Sequence, residues 1–240
     1  MSYRSRATFI LTTGLIFSSI LTAGGIKGTV KYEGKVPRMK PIKMAADPIC
    51  DGKHAEGPAR LEWLLAGSEG ELKNVFVYVK EGLGDKKFAA PEKVATIDQN
   101  GCVYKPHILG VQVGQKIEIL NSDGTLHNVH AMPKKKNNVA FNEAMPGARK
   151  KVTKQFDEAE IMVRVKCDVH PWMGAYIGVF DHPCFAVSGD DGTYIISDLK
   201  PGEYVIEAWH EKLGSQTANV TVSDSAAHQN FTFKKPSKKK

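Results

Sequence analysis

The chain has 240 residues, 42% hydrophobic and 25% charged, which is ordinary for one large or two modest globular domains and excludes a disordered protein. Of its formal net charge of +7, two charges come from Arg4 and Arg6 and five from lysines of the C-terminal tail, so the body of the chain is close to neutral. No basic stripe is interleaved with aromatic residues, which excludes nucleic-acid recognition as the main function.

The first residues have the organisation of a secretory signal peptide. A short positive region (Arg4 and Arg6) precedes an apolar run over 7–21, and small residues follow it. The run is interrupted by Thr and Ser and is short for a membrane span, so we favour a cleaved signal peptide, residues 1–23, over an uncleaved anchor. The mature protein is predicted to be periplasmic or secreted.

Most of the chain shows the residue pattern of β-strands. Apolar and polar residues alternate in segments rich in Val, Ile, Tyr and Phe, and Gly, Pro, Asn or Asp bound these segments. Examples are Val75–Val79, Val111–Leu120, Ile161–Val165 and Tyr204–Trp209. No stretch of ten or more residues follows a helical period, so the predicted fold class is all-β.

Two connections are predicted between these strands. Leu61–Leu65 and Leu72–Val79 read as a hairpin around the Gly67–Gly70 turn. Residues 133–155 contain few strand signals and many polar residues, so we expect a long loop there. An opening strand is expected at residues 28–32.

The most informative segment is Cys167-Asp168-Val169-His170-Pro171-Trp172-Met173. In it a thiolate, an imidazole and a thioether recur at intervals of three, which a tight turn brings to one side. Cys and His with a weak axial Met are the ligands of blue copper, whereas zinc prefers a further Cys, His or carboxylate to a thioether. The loop therefore predicts a copper site that needs one more imidazole.

Two histidines after the strand ending at Leu120 could supply that imidazole. They lie in Asn121-Ser122-Asp123-Gly124-Thr125-Leu126-His127-Asn128-Val129-His130. Because His127 and His130 are three residues apart, they point to opposite faces of an extended chain, and only one of them can reach the metal.

Together the two segments resemble the cupredoxin family, and the amicyanins and plastocyanins in particular. The match covers residues 110–180 and includes the Asn-x-Asp-x-x-x-His-Asn-Val pattern and the short Cys-x-x-His-x-x-Met loop. The resemblance implies a Greek-key β-sandwich or barrel that binds one type 1 copper ion through His127, Cys167, His170 and Met173. It also implies that Asn128 braces the ligand loop near the thiolate, and that His170 is the exposed edge of the site.

The residues after 182 resemble carboxypeptidase regulatory-like, or transthyretin-like, domains. The similarity lies in Asp191-Gly192-Thr193-Tyr194, in Leu199–Tyr204 and in Ala208-Trp209-His210. The expected organisation is a signal peptide (1–23), a cupredoxin-like domain (24–182), a small C-terminal β-sandwich (183–233) and a basic tail (234–240). About 50 residues make a thin core, so the small sandwich is expected to lean on the first domain, and residues 28–32 are an alternative strand for it.

The cysteines outside the ligand loop are less informative. An exported protein can form disulfides, and we slightly favour a Cys50–Cys102 bond over free thiols. Cys50 and His54 are close enough in sequence for a weak suggestion of a second site, and Cys184 has no assigned role.

Basic residues suggest two contacts. The 133–155 segment is either a solvated loop or a docking surface for an acidic redox partner such as a cytochrome or dehydrogenase. The tail is either solvated or attached to an anionic membrane surface. The bases of the segment are Lys134, Lys135, Lys136, Arg149, Lys150, Lys151 and Lys154, and those of the tail are Lys234, Lys235, Lys238, Lys239 and Lys240.

The sequence predicts a one-electron carrier and not an enzyme. Four protein ligands leave no vacant position for a substrate, whereas catalytic metals keep one. Pro171 and Trp172 would stiffen and cover the ligand loop and add an apolar surface beside His170. The alternatives are a copper storage or delivery protein, an oxidoreductase domain, and a binding module with a structural copper site.

Overall fold

A computed structural model describes residues 24–236 of the chain. The predicted signal peptide, residues 1–23, and the end of the tail, residues 237–240, lie outside the described residues. Within the described part, no helix has the length and apolar character needed to cross a membrane.

The described residues form seventeen strands and one five-residue helix, which confirms the all-β class. In chain order they are β1 (Gly24–Glu33), α1 (Pro48–Gly52), β2 (Phe76–Glu81), β3 (Ala95–Gln99), β4 (Tyr104–Lys105), β5 (Ile108–Gln112), β6 (Ile117–Asn121), β7 (His127–Met132), β8 (Phe141–Met145), β9 (Lys151–Lys154), β10 (Glu160–Lys166), β11 (Gly174–Phe180), β12 (Phe185–Val187), β13 (Thr193–Leu199), β14 (Gly202–His210), β15 (Gly214–Val222), β16 (Ala227–His228) and β17 (Phe231–Lys234).

Two sheets form the first sandwich. One has the order β5-β11-β10-β7-β8 and the other β4-β3-β6-β9. Alternating residues from both sheets fill the core between them, including Ile97, Ile119, Val163 and Ile177. This alternation is the pattern that identified the strands in the sequence.

Two further sheets form the second sandwich, and they recruit strands from the N-terminal part of the chain. β1 pairs with β13, β16 and β17, and β2 lies between β12 and β14. A division at residue 183 therefore does not match the strand pairing, and the alternative place for residues 28–32 is the observed one. A core of about 50 residues buries too little apolar surface to be stable alone, and these two strands enlarge it.

An aromatic cluster joins the two sandwiches. The ring of Phe76 on β2 stacks on Phe180 at the end of β11, with centroids 5.2 Å apart, and it meets Phe185 at 5.4 Å. Gly110 on β5 permits this approach, because a Cβ there would lie 2.5 Å from the Phe185 ring. The cluster gives the second sandwich the support expected from the first.

Three local predictions are wrong. The 133–155 segment is not a loop, because it contains β8 and β9, two short edge strands whose many polar residues hid the alternation. The hairpin before residue 79 is reduced to a bridge between Ala66 and Leu72, since β2 pairs with β12 and β14 instead. The segment Val111–Leu120 is divided by a turn at Gly114, whose φ is +76°.

Candidate metal centre

The ligand loop is a closed turn between two paired strands. Cys167 follows β10, and Met173 precedes β11. The Cys167 amide donates to the Met173 carbonyl (3.2 Å), and the Met173 amide donates to the His170 carbonyl (2.9 Å). These bonds bring the three predicted ligands of the loop to one end of the first sandwich.

His127 reaches the same end because it is the first residue of β7, which pairs with β10. The side-chain amide of Asn121 holds the connection before it and donates to the carbonyls of Thr125 (2.9 Å) and Met145 (2.7 Å). The backbone of this connection is thus fixed by a buried side chain.

Three of the four predicted donors converge, and the fourth is buried in the same loop. The Nδ1 atoms of His127 and His170 face each other at 2.9 Å, and the Cys167 Sγ lies 4.0 Å from the His170 Nδ1. Met173 is buried in the same core cluster as Cys167. All four side chains are almost fully buried, with at most 3% of any of them exposed.

The surroundings of Cys167 favour its thiolate. The backbone amides of Asn128 and His170 point to the sulfur at 3.5 and 3.4 Å. Burial alone would raise the pKa of this thiol, but hydrogen bonds from His127 and from these amides outweigh it and lower the pKa. The sulfur is therefore prepared to bind a soft cation.

Asn128 also braces the loop, as the resemblance implied. Its Oδ1 accepts from the Asp168 amide (2.6 Å) and from the Val169 amide (3.3 Å). The buried hydroxyl of Tyr104 donates to the Asn128 carbonyl at 2.7 Å. One asparagine thus ties the first histidine segment to the ligand loop.

A carboxylate orients His127 from behind. The Asp123 Oδ2 lies 2.9 Å from the His127 Nε2, and Asp123 also accepts from the amides of Gly101 (2.6 Å) and Cys102 (2.8 Å). Burial alone would lower the pKa of His127, but Asp123 and Cys167 outweigh it and raise the pKa to about 9. Since Nε2 is bonded to Asp123, Nδ1 is the atom directed at the site.

The residues present fit a copper ion. Two buried imidazole nitrogens and a thiolate-favouring sulfur converge, and a buried thioether lies in the same loop, which is the donor set of blue copper. His130, in contrast, turns away from this point and lies 2.9 Å from an Asp168 carboxylate oxygen.

The expectation that His170 is the exposed edge of the site is wrong, because only 3% of this residue is exposed. A segment of residues 47–53, which contains α1 and which we call the cap, covers its outer side. The His170 Nε2 lies 3.1 Å from the Asp47 Oδ2 and 3.8 Å from the Cys50 Sγ. Trp172 packs against the same ring, with centroids 4.9 Å apart.

The expected Cys50–Cys102 disulfide joins the cap to the first sandwich, and the Cα atoms of the two cysteines are 5.6 Å apart. The weak suggestion of a site at Cys50 and His54 is therefore wrong: Cys50 is bonded to Cys102, and the His54 Nε2 lies 2.7 Å from the Gly101 carbonyl. Cys184 is a buried free thiol away from the centre, in the core of the second sandwich.

Sequence reasoning missed both carboxylates. Asp47 precedes a proline, which is the signature of a helix N-cap followed by N1, and the cap could have been recognised from it. Asp123 lies four residues before His127, inside the segment that contains both candidate histidines. Neither pattern indicates which histidine the carboxylate would reach.

The bases of the 133–155 segment lie at two ends of the first sandwich. Lys134 and Lys135 donate through their backbone amides to Glu160, at the start of β10, whereas Cys167 follows its end, about 20 Å away. Lys150 lies near the centre, where its carbonyl accepts from the Asn121 amide. Several of these bases are already paired, including Lys151 with Glu118 and Lys154 with Glu143.

No known protein family matches the sequence, and neither does any curated protein. Solved structures with partial similarity include a Cu-containing nitrite reductase from Thermus scotoductus SA-01 (20% identity, 42% of this chain and 25% of that chain, TM-score 0.34). Others are a Cu(I) amicyanin variant (22%, 43% and 97%, TM-score 0.32) and a purple cupredoxin from Nitrosopumilus maritimus (22%, 35% and 98%, TM-score 0.30). The chain thus spans a quarter of the reductase. These structural neighbours are copper proteins and cupredoxins.

Proposed function

We propose that this protein is an exported type 1 copper protein that transfers single electrons. The observation that carries the proposal is the convergence of the His127 and His170 Nδ1 atoms, 2.9 Å apart, beside the Cys167 sulfur. Met173 supplies the weak fourth donor of the same loop. When bound, copper supplies a centre that alternates between two oxidation states.

The chain contributes a site of fixed geometry. Backbone bonds close the ligand loop, Asn128 ties it to β7, and Asp123 fixes the orientation of His127. Because these groups are buried and mutually bonded, little movement accompanies a change of charge at the centre. With four protein donors, no position remains for a substrate, which favours a carrier over an enzyme.

Electrons would pass through Trp172, the partly exposed aromatic residue that packs on His170. Trp172 lines a cleft of about 260 Å³ between the sandwiches, with Glu62, Tyr176 and Lys212 on its walls. An acidic redox partner is also part of the proposal, with Lys150 as the base near the centre. The tail lysines would contribute contact with an anionic membrane surface.

The cap supports this function over copper delivery. A protein that hands copper to another protein needs ligands that a partner can reach, whereas here the four donors are buried and covered. The disulfide is consistent with an oxidising compartment, in agreement with a periplasmic or secreted protein. The second sandwich, which resembles carboxypeptidase regulatory-like domains, would have a supporting role.

The test is titration of the purified apo-protein with Cu(II). We expect one equivalent to give an intense blue charge-transfer band. Cys167→Ser should abolish the band and His127→Ala should strongly reduce it, whereas the matched variant His130→Ala should retain it.

Two outcomes would contradict the proposal. If the parent protein develops no such band, or if Cys167→Ser retains it, the type 1 assignment is wrong. If copper leaves the reduced protein readily to a chelator, and no reversible one-electron wave is seen in voltammetry, delivery or storage replaces electron transfer.

A further inference from the structure

The cap has a defined contact with the candidate centre. The His170 Nδ1 faces His127, so the Nε2 is directed outward, where it lies 3.1 Å from the Asp47 Oδ2. The Cys50 sulfur adds a second contact at 3.8 Å. The outer edge of this imidazole is therefore in contact with a carboxylate and a disulfide.

The Asp47 carboxylate is held in place from both sides. Its Oδ1 accepts from the Ile49 amide (2.9 Å) and the Cys50 amide (3.1 Å), which makes Asp47 the N-cap of α1. Its Oδ2 accepts from the Thr125 hydroxyl (3.1 Å) as well as from His170. The Oδ1 atom thus caps the helix, and the Oδ2 atom contacts Thr125 and His170.

The disulfide connects this carboxylate to the one behind His127. Asp47 accepts from the Cys50 amide, Asp123 accepts from the Cys102 amide (2.8 Å), and the two cysteines are bonded to each other. The outer nitrogens of both histidines therefore meet carboxylates that belong to one cross-linked unit.

We propose that Asp47 is a positioning residue that orients His170 and favours oxidised over reduced copper. By accepting from Nε2–H, it leaves the Nδ1 lone pair directed at the centre, and it makes the imidazole a better electron donor. An imidazole that donates more electron density would stabilise Cu(II) relative to Cu(I). This inference rests on the proposed function.

Substitutions can separate this role from helix capping. Asparagine is a good N-cap but lacks the charge, so Asp47→Asn should keep α1 and weaken the donation to His170. Serine also caps a helix but is shorter, so Asp47→Ser should keep α1 and lose the contact. Asp51→Asn is the matched control, because Asp51 is an exposed carboxylate of the same helix.

The measurement is the reduction potential of the copper-loaded full chain. Asp47→Asn should shift the equilibrium about tenfold toward Cu(I), a rise of about 59 mV for a one-electron couple. Asp47→Ser should shift it in the same direction, and Asp51→Asn should change it less than twofold. If Asp47→Asn and Asp51→Asn give the same potential and the same copper spectrum, Asp47 is only a helix cap and the inference is wrong.

A second measurement uses the apo-protein and does not depend on copper. NMR of the His170 Nε2–H group should show the signature of a strong hydrogen bond to a carboxylate in the parent and in Asp51→Asn, and a weaker hydrogen bond in Asp47→Ser. An unchanged Nε2–H signal in Asp47→Ser would overturn the positioning role. Failure of the parent to bind copper would instead overturn the proposed function, so the two failures are distinguishable.

Discussion

The two sandwiches treat buried polar groups differently. At one end of the first sandwich, Asp123, His127, Asn128 and His170 are buried and linked by hydrogen bonds to one another or to the ligand loop. In the second sandwich, His210 is as deeply buried, but its Nδ1 accepts only a backbone bond from Lys212 (3.1 Å). Since buried polar groups are costly unless paired, a concentrated and paired set marks a site, whereas a lone one marks packing.

The largest expected effect concerns the disulfide that holds the cap onto the first sandwich. Replacing both Cys50 and Cys102 by serine should lower the free energy of unfolding by about 4 kcal/mol, because the bond closes a separation of 52 residues. Urea denaturation measures the loss. Cys184→Ser, which changes a buried free thiol of the second sandwich, is the control, and an equal loss in both proteins would contradict the special role of the cap.

The buried His210 of the second sandwich should make the free energy of unfolding depend on pH. Burial lowers the pKa of His210 from 6.5 to about 4, so the unfolded chain binds a proton more readily than the folded one between these values. Its stabilising contribution is therefore complete above pH 6.5 and is lost as the pH falls toward 4, by about 3 kcal/mol.

The check on His210 is a comparison of unfolding free energies at pH 7 and pH 4. His210→Asn should lose less stability between these two values than the parent does. If the variant and the parent show the same pH dependence, His210 does not titrate as burial requires. The comparison uses differences between pH values, so a general destabilisation by the substitution does not affect it.

The part of the site that could be predicted from the sequence is the part whose residues lie close together along the chain. Cys167, His170 and Met173 lie within seven residues of one another, so their spacing alone shows that one turn brings them together. Asp47 lies 120 residues before Cys167, and its contact with His170 depends on how the cap folds against the sandwich, which no local pattern contains.

The same reasoning applies to the strands. β10 and β14 bury several residues in alternation and are predicted correctly, whereas β8 and β9 are edge strands with one buried residue each, Met145 and Val152. β1 and β2 were recognised as extended segments, yet their partners lie more than 100 residues later in the chain. Hydrophobic periodicity identifies a strand, but it does not identify the sheet to which the strand belongs.

The smallest effect compares two buried tyrosines, one in each sandwich. The Tyr104 hydroxyl donates to the Asn128 carbonyl at 2.7 Å, and the Tyr194 hydroxyl donates to the Gln229 carbonyl at 2.6 Å. The Tyr104 hydroxyl also lies 3.1 Å from the Lys166 carbonyl, so its single proton is shared between two acceptors. Replacing either tyrosine by phenylalanine removes this hydrogen bonding to backbone carbonyls, so each variant should lose about 1 kcal/mol of unfolding free energy. Only Tyr104→Phe should also shift the copper absorption band, because Asn128 holds the ligand loop. If Tyr104→Phe leaves the copper band unchanged, the hydrogen bonds of Asn128 do not affect the metal centre. If Tyr194→Phe shifts the band equally, the shift in Tyr104→Phe is not specific to the network around Cys167.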